Sequence, residues 1–297
     1  MVIIQLQGGL GNQMFQYAAG KALSIHYNCK LSIDLSMLQH TASANKEITH
    51  REYELGLFKN IDTATVPGHI LQSFLSLSKK NKLLKRLNLP YKKSYIEPAF
   101  SFDAGFFLQR PPVLLKGYFQ SEKYFSSISA TIRQNFSFPA LEANDVNTAV
   151  LQHIQNSHSV SVHVRRADYV NDPAIHAVHG TCSIDYYTKA FLYMQEQLGN
   201  VAFVFFSDDP AWVKQMFLPR LPGSLLVENN TTVNNWKDMY LMSNCKHHII
   251  ANSSFSWWGA WLNNSPGKKV IAPKNWFADA AKNETTTDLI PENWIRL

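Results

Sequence analysis

Hydrophobic and polar positions alternate along residues 159–164, SVSVHV, and Arg165, Arg166 and Asp168 follow closely. Alternation with a period of two is typical of a half-buried β-strand. Arginine presents a planar fork of donors that matches phosphate or carboxylate oxygens. The pattern therefore predicts a strand whose tip carries either an Arg–Asp salt bridge or a site for an anionic ligand.

The wider pattern predicts an α/β protein. Residues 202–206, AFVFF, form an apolar run typical of a strand buried in a parallel sheet. Strand-like and helix-like segments alternate from 159 to 272, which predicts an open, doubly wound parallel sheet. The chain opens in a similar way, with an apolar strand at 2–6, a glycine-rich turn, a helix, and a second strand at 29–36.

The length of 297 residues suits two domains. A polar stretch at 141–159 lies between the two α/β patterns, and we place the boundary near residue 157. This gives an N-terminal α/β domain, 1–156, and a C-terminal Rossmann-like domain, 157–297. Ligands of such sheets bind beyond the carboxyl ends of the strands, so polar residues there are the candidates for a site.

Composition narrows the function only slightly. The chain has 28 Lys and Arg against 22 Asp and Glu, and this excess suits a phosphorylated ligand or an anionic membrane surface without requiring either. Cys29, Cys182 and Cys245 show neither zinc spacing nor a disulfide framework. We find no leader and no run of ~18 apolar residues, and we therefore expect a cytoplasmic protein.

Residues 79–93 carry seven Lys or Arg residues. Drawn as a helix, this segment has its leucines on one face and its cations on the other. A solvated surface helix is the favoured interpretation. The alternative is peripheral contact with anionic lipid at the inner face of the membrane.

A glycine-rich turn, QGGLGNQ, follows the first strand. Gly8, Gly9 and Gly11 would allow the backbone to approach an anion at a helix N-terminus. The turn is not a dinucleotide fingerprint, because Met14 occupies the position of the third glycine, and it lacks the ending of a Walker A loop. Taken alone, it favours a simple tight turn.

Asp208 and Asp209, in the stretch FSDDP, are adjacent carboxylates at the end of a predicted strand. Such a pair can bind a divalent metal ion, and it can equally cap the N-terminus of the following helix. Because no third acidic residue is close in sequence, the cap is the favoured interpretation.

The stretch NSSFSWWGAWL combines hydroxyls with tryptophans. Ser253 and Ser254 lie at a predicted strand end, where they and the amides of the next helix could hold a phosphate. Trp257, Trp258 and Trp261 have helical spacing, which favours core packing, although a stacking role for one of them stays open.

Candidate proton acceptors cluster near the tip of the 159–164 strand: His163, Asp168, Asp172, His176 and His179. A serine hydrolase is disfavoured, because no G-x-S-x-G elbow occurs. Nucleic-acid binding is also disfavoured, because the basic residues are not interleaved with aromatic ones.

Three stretches, GGLGNQMFQYA, HVRRADY and SSFSWWGAWL, occur in this order along the chain. Together they resemble the motifs of the α-1,2-fucosyltransferases, glycosyltransferase family 11, and in particular its bacterial members. The resemblance extends over nearly the whole chain and is strongest at 1–20, 159–190 and 236–262.

The resemblance implies an inverting enzyme that moves L-fucose from GDP-fucose to the 2-hydroxyl of a terminal galactose in a glycan, as in O-antigen synthesis. It implies no metal and no other cofactor, because fixed cations would stabilise the charge that builds on the β-phosphate. It also implies a GT-B fold, with two facing Rossmann-like domains and a cleft between them. A related enzyme using another GDP-sugar or linkage is the first alternative, and a non-catalytic glycan- or nucleotide-binding module is the second.

The resemblance also assigns donor-binding residues by position. Arg165 matches a phosphate-binding arginine, supported by Arg166, and Ser254 matches a phosphate-contacting serine. His163 and Asp238 match residues that face guanine, whose adjacent donors suit a carboxylate. The other donor-binding positions are Ser253, Gly9, Gly11 and Asn12.

An inverting transfer also needs a base for the proton of the acceptor hydroxyl. Asp168 lies in the shared HVRRADY motif and is the predicted base, with Arg165 as its catalytic partner. If Asp168 only orients an arginine, Asp172 or His176 takes its place. We expect residues 41–120 to select the acceptor glycan.

Overall fold

The computed structural model describes residues 1–41, 51–75, 78–87, 89–166 and 173–297. The chain divides into two compact units, and each contains one parallel sheet. The first unit is Met1–Pro139 with Thr287–Leu289, and the second is Ala140–Thr286 with Ile290–Leu297.

The first unit has a five-stranded sheet in the order β3-β2-β1-β5-β4. Its strands are β1 (Val2–Gln5), β2 (Leu31–Asp34), β3 (Ala64–Thr65), β4 (Lys93–Ile96) and β5 (Val113–Lys116). Its α-helices are α1 (Leu10–His26), α2 (Ser36–Thr41), α3 (Gly68–Leu75), α4 (Lys79–Arg86) and α5 (Ser129–Asn135). Short 3-10 turns lie at Leu55–Leu57, Phe106–Leu108, Glu122–Tyr124 and Ser126–Ile128.

Helix α1 packs closely on the central strand of this sheet because Gly20 faces it. A Cβ atom at Gly20 would lie 3.1 Å from Cβ of Ile4 and 3.0 Å from Cδ1 of Leu31. Ile4 is fully buried. The glycine therefore sets the distance between helix and sheet, and with it the position of the turn that precedes the helix.

The second unit has a six-stranded sheet in the order β11-β10-β9-β6-β7-β8. Its strands are β6 (Ser159–Val164), β7 (Ala202–Ser207), β8 (Leu225–Val227), β9 (His247–Ile249), β10 (Val270–Ala272) and β11 (Ile295–Arg296). Its α-helices are α6 (Asn147–Asn156), α7 (Pro173–His179), α8 (Ile184–Leu198), α9 (Pro210–Met216), α10 (Trp236–Asn244), α11 (Ser254–Leu262) and α12 (Ala280–Glu284). Two 3-10 turns lie at Leu218–Arg220 and Thr232–Asn234.

Apolar clusters cover both faces of the second sheet. Phe203 and Phe205 of β7 pack in a cluster with residues of α8 and α9. Val204 and Phe206, which point to the opposite face, pack with residues of α6 and α10. A strand buried on both faces has no polar face, and this explains its continuous apolar run. The predicted α/β class with Rossmann-like parallel sheets is confirmed.

The prediction that residues 159–164 form a half-buried strand is wrong in one respect, because all six residues of β6 are buried. β6 lies between β7 and β9 in the middle of the sheet. Its hydroxyls are buried with partners: Ser159 donates to the carbonyl of Ile154 at 2.9 Å, and Ser161 lies 2.8 Å from Nδ1 of His248. The alternation therefore reflects one buried face lined by valines and one buried face lined by polar side chains, and neither face is exposed to water.

The units separate between Pro139 and Ala140, earlier than the boundary expected near residue 157. Helix α6 lies in this interval. Its Ile154 is fully buried and packs with Val204 and Leu241 of the second unit. The polar composition of 141–159 led us to place the boundary at the end of this stretch, but helix α6 needs only one apolar face to join a core.

Candidate functional site

The tips of β6 and β7 hold two arginines opposite two carboxylates. β6 and β7 are parallel neighbours, and Val164 pairs with Ser207, so the residues that follow each strand lie side by side. Nε of Arg165 is 3.2 Å from Oδ2 of Asp208. The carboxylates of FSDDP therefore contact the arginines of HVRR, a pairing that the sequence interpretation missed.

Arg166 is fixed at three points. Its backbone N–H donates to Oδ1 of Asp208 at 2.8 Å, and its Nε lies 3.6 Å from Oδ2 of Asp209. Its guanidinium carbon lies 4.7 Å from the centre of the Trp212 ring, within the range of a cation–π contact. The side chains of Arg165 and Arg166 are 26% and 30% exposed, so both positive groups are held in place and lie partly at the surface.

Asp209 also caps helix α9. Its Oδ1 accepts from the backbone N–H of Trp212 at 3.1 Å, and Pro210 follows it in the first turn. This confirms the cap interpretation of FSDDP. Within the described ranges no group of three or more His, Cys, Asp or Glu residues could hold a metal ion.

His163 lies just before the arginines and is neutral. Burial and the positive charge of Arg165 lower its pKa to about 3. The side chain is 7% exposed, and its Nδ1 has no hydrogen-bond partner among the described residues. A neutral imidazole with a free nitrogen can exchange a hydrogen bond with an uncharged base or hydroxyl.

Helix α11 reaches the tip of β6 from the neighbouring strand β9. Ser253 is its N-cap, with Oγ accepting from the N–H of Phe255 at 3.3 Å. The ring of Phe255 lies 5.9 Å from that of His163. The structure therefore brings Ser253, Ser254 and the first turn of α11 to the strand tip that carries the arginines.

The tryptophans of the same helix are core residues. Trp257 and Trp258 are fully buried and Trp261 is 4% exposed. The Trp257 and Trp261 rings are nearly parallel, with centres 6.1 Å apart, and Trp258 meets both edge-on. The core interpretation is confirmed, and burial leaves none of the three rings as a surface for ligand stacking.

Asp238 lies in the first turn of α10, a helix that packs against α11. Its Oδ1 accepts from Nδ2 of Asn230 at 2.7 Å. Burial raises the pKa of this carboxyl to about 7, and the hydrogen bond from Asn230 opposes the rise. Asp238 therefore changes charge near neutral pH.

Asn230 is itself held by a polar network that sequence reasoning missed. Asn147 and Asn230 exchange side-chain hydrogen bonds of 2.8 and 3.1 Å. Asn147 also donates to Oδ1 of Asp145, whose Oδ2 lies 2.6 Å from Nζ of Lys237. The network joins residues 145–147 to residues 230–238, which lie more than 80 positions away, and these residues match no motif, so the sequence carries no signal of their contact.

The glycine-rich turn of the first unit is a tight turn held by buried glutamines. Gly8 has φ +75°, and a Cβ there would lie 2.5 Å from Nδ2 of Asn12. Nε2 of Gln13 donates to the carbonyl of Gly8 at 2.8 Å. The turn ends at Gly9, directly before α1. The tight-turn interpretation is confirmed, and phosphate contacts from Gly9, Gly11 and Asn12 stay a prediction.

The structure describes only some of the predicted proton acceptors. Asp168 and Asp172 lie outside the described residues. His176 is exposed in the last turn of α7. The carbonyl of His179 accepts from Nδ2 of the buried Asn252 at 2.9 Å, which ties the end of α7 to the loop after β9.

Positive groups and a capped helix N-terminus at the carboxyl ends of parallel strands form the type of site that binds phosphorylated ligands in α/β proteins. The model of glycosyl transferase family 11 matches residues 107–297. The chain belongs to this family and is a glycosyltransferase.

Two relatives come from Escherichia coli. The chain is 34% identical to an alpha-1,2-colitosyltransferase, over 100% of this chain and 99% of the relative. It is 33% identical to the O-antigen biosynthesis glycosyltransferase WbnK, over 98% of this chain and 99% of the relative. These similarities cover both units.

Two further similarities are more distant. A galactoside 2-alpha-L-fucosyltransferase from Caenorhabditis elegans is 25% identical over 100% of this chain and 79% of that protein. Among solved structures, the NodZ alpha-1,6-fucosyltransferase soaked with GDP-fucose is 14% identical, with a TM-score of 0.48 and coverage of 95% of this chain and 96% of that one. In the part of the chain that the structure describes, no helix is long and apolar enough to cross a membrane.

Proposed function

We propose that the protein transfers L-fucose from GDP-fucose to the 2-hydroxyl of a terminal galactose in a glycan, with inversion at C1 and without a metal. The observation that carries the proposal is the pair Arg165 and Arg166, which carboxylates hold at a strand tip and which are partly exposed. Membership of glycosyl transferase family 11 supplies the reaction class.

In the proposed reaction the bond between C1 of fucose and the β-phosphate oxygen of GDP breaks, and a bond from C1 to the galactose O2 forms. Negative charge therefore builds on the β-phosphate, where Arg165 and Arg166 would bind. Cations fixed before the reaction stabilise such charge with little reorganisation. Ser253, Ser254 and the first amides of α11 would add neutral donors to the same phosphates.

Guanine would be bound by His163 and Asp238. The N1–H and N2–H₂ groups of guanine are adjacent donors, and an ionised carboxylate accepts from both. His163 is neutral, so it adds no second positive charge beside the arginines. Asn230 donates to Oδ1 of Asp238 and so orients this carboxylate.

The proton of the acceptor hydroxyl needs a base, and we keep Asp168 in this role because of its place in the HVRRADY motif. Asp172 and His176 are the alternatives. The exposed position of His176 on α7 leaves it accessible to solvent and to substrate.

A colitosyl donor is the second candidate, because one relative that covers the whole chain at 34% identity is an alpha-1,2-colitosyltransferase. Colitose is fucose without its 3-hydroxyl. The two donors would therefore share every contact to GDP and differ only around the sugar.

The test is incubation of the full chain with GDP-fucose or GDP-colitose and a panel of galactose-terminated glycans, followed by linkage analysis of the products. We expect an α-1,2-fucosylated galactose, with a higher kcat/KM for GDP-fucose. A preference for GDP-colitose would favour the second candidate. Tight GDP binding without turnover on any glycan would favour a non-catalytic module.

A further inference from the structure

Helix α4 turns a polar residue inward and leucines outward. Asn81 is 6% exposed, and its Nδ2 donates to the carbonyl of Lys92 at 3.3 Å. Leu83 and Leu87, by contrast, are 57% and 58% exposed. The apolar face of a surface helix ordinarily packs on the core. Here the described part of the first unit leaves that face uncovered.

Two exposed cations flank the leucines. Leu83 lies in α4, and Leu87 is the C-cap residue directly after it; because they are four positions apart, we expect them on the same side of the helix end. Lys82 and Arg86 are also four positions apart and exposed. Each directly precedes one of the leucines, so each cation lies about 100° from that leucine around the helix axis. We call Lys82, Leu83, Arg86 and Leu87 the basic leucine face. Leucines beside a row of cations are typical of a helix that lies in a membrane interface.

The charge of the whole chain is concentrated in this region. Residues 63–96 contain seven Lys or Arg residues and no Asp or Glu, whereas the whole chain has 28 Lys and Arg against 22 Asp and Glu. Without that segment the chain would hold 21 basic and 22 acidic residues. The positive excess therefore belongs to the segment around α4, and within it no carboxylate neutralises the cations.

We propose that the basic leucine face docks the protein on a bilayer rich in anionic lipid. Lys82 and Arg86 would contact the lipid phosphates, and Leu83 and Leu87 would enter the boundary between headgroups and acyl chains. A soluble polyanion would also attract the two cations, but its binding would leave the leucines in water. Their exposure beside the cations is the reason that we choose a membrane surface.

The experiment is flotation of the full chain with vesicles of phosphatidylglycerol and phosphatidylethanolamine, compared with phosphatidylcholine alone. We expect flotation only with the anionic vesicles, and less of it at high salt, where charges are screened. The double variant Lys82→Glu/Arg86→Glu should bind at least ~10-fold more weakly. Leu83→Gln/Leu87→Gln should also bind more weakly and should dissociate faster.

Matched controls place the same changes elsewhere. Leu192→Gln replaces another leucine that is 54% exposed, and Lys59→Glu reverses an exposed charge in the first unit. Both should float like the unmodified chain. Circular dichroism and thermal unfolding establish that every variant is folded, and GDP binding, which tests the proposed function separately, should be unchanged in all of them.

Three results would overturn the proposal. The first is a failure of the unmodified chain to float with anionic vesicles. The second is an equal loss of flotation in the control variants. The third is binding to RNA or DNA that depends on Lys82 and Arg86 while vesicles are not bound, which would assign the face to a nucleic acid.

Discussion

Arg165 and Asp208 form an ion pair across the tips of two neighbouring strands, with 3.2 Å between Nε and Oδ2. The two residues are 43 positions apart, and the parallel register of β6 and β7 brings them together. The pair fixes the direction of the guanidinium before any ligand binds. In an enzyme that stabilises charge on a leaving phosphate, this preorganisation contributes to rate and not only to affinity.

Arg165→Lys should lower turnover by at least ~10²-fold, because lysine keeps the charge but loses the planar fork of donors. The measurement is kcat with saturating GDP-fucose and acceptor. Arg220→Lys, at an exposed position of the same unit, is the control and should be near normal. Near-normal activity of Arg165→Lys would contradict the phosphate assignment.

The reaction should proceed without a metal, since Asp208 and Asp209 form ion pairs with Arg165 and Arg166 and Asp209 also caps helix α9. Activity should survive dialysis against a strong chelator, assayed by release of GDP. Asp208→Asn should weaken GDP binding, because it loosens Arg165, and should do so equally with and without added Mg²⁺. Loss of activity in the chelator that Mg²⁺ or Mn²⁺ restores would show that these carboxylates bind a metal.

Binding of GDP should strengthen as pH rises through about 7. Asp238 has its pKa raised to about 7, so below that pH it is protonated and accepts poorly from two guanine donors. Asp238→Asn should bind GDP weakly at all pH values. The measurement is the GDP affinity of the unmodified chain and of Asp238→Asn, by calorimetry from pH 5.5 to pH 8.5. The titration of GDP itself affects both proteins equally, so it cancels in the ratio of their affinities. A ratio that does not change with pH would contradict the guanine assignment.

The same carboxyl should also affect stability. Its folded pKa lies above the unfolded value, so its stabilising contribution is fully present below about pH 4 and is lost as pH rises through about 7. Asp238→Asn should therefore unfold at a higher temperature than the unmodified chain at pH 8, and the difference should shrink towards pH 4. Asn230→Leu removes the hydrogen bond that lowers this pKa and should move the midpoint of GDP binding to higher pH.

Asp168→Asn separates the candidate bases. If Asp168 takes the acceptor proton, transfer should fall by ~10²–10⁴-fold, while the affinity for GDP-fucose stays the same. Asp172→Asn and His176→Ala are the matched variants, and donor affinity and transfer rate are measured for all three. Loss of donor affinity in Asp168→Asn, together with loss of rate alone in one of the others, would identify that other residue as the base.

The sequence by itself determined the features that depend on neighbours along the chain. Asp209 followed by Pro210 is a helix cap in any context that lets α9 form. The glycine-rich turn needs Gly8, because φ +75° strains a residue with a Cβ. The apolar run of β7 is long enough to predict a strand buried on both faces. The three sequence motifs predicted the family.

Only the tertiary structure decided which side chains meet across the sheet. The register of β6 and β7 chose Asp208 as the partner of Arg165, and the central position of β6 buried Ser159 and Ser161 that alternation had placed in water. The network that includes Lys237, Asn147 and Asp238 joins residues 145–147 to residues 230–238. Such contacts depend on how strands and helices are ordered in space, and this order is set by burial of apolar faces that no local pattern records.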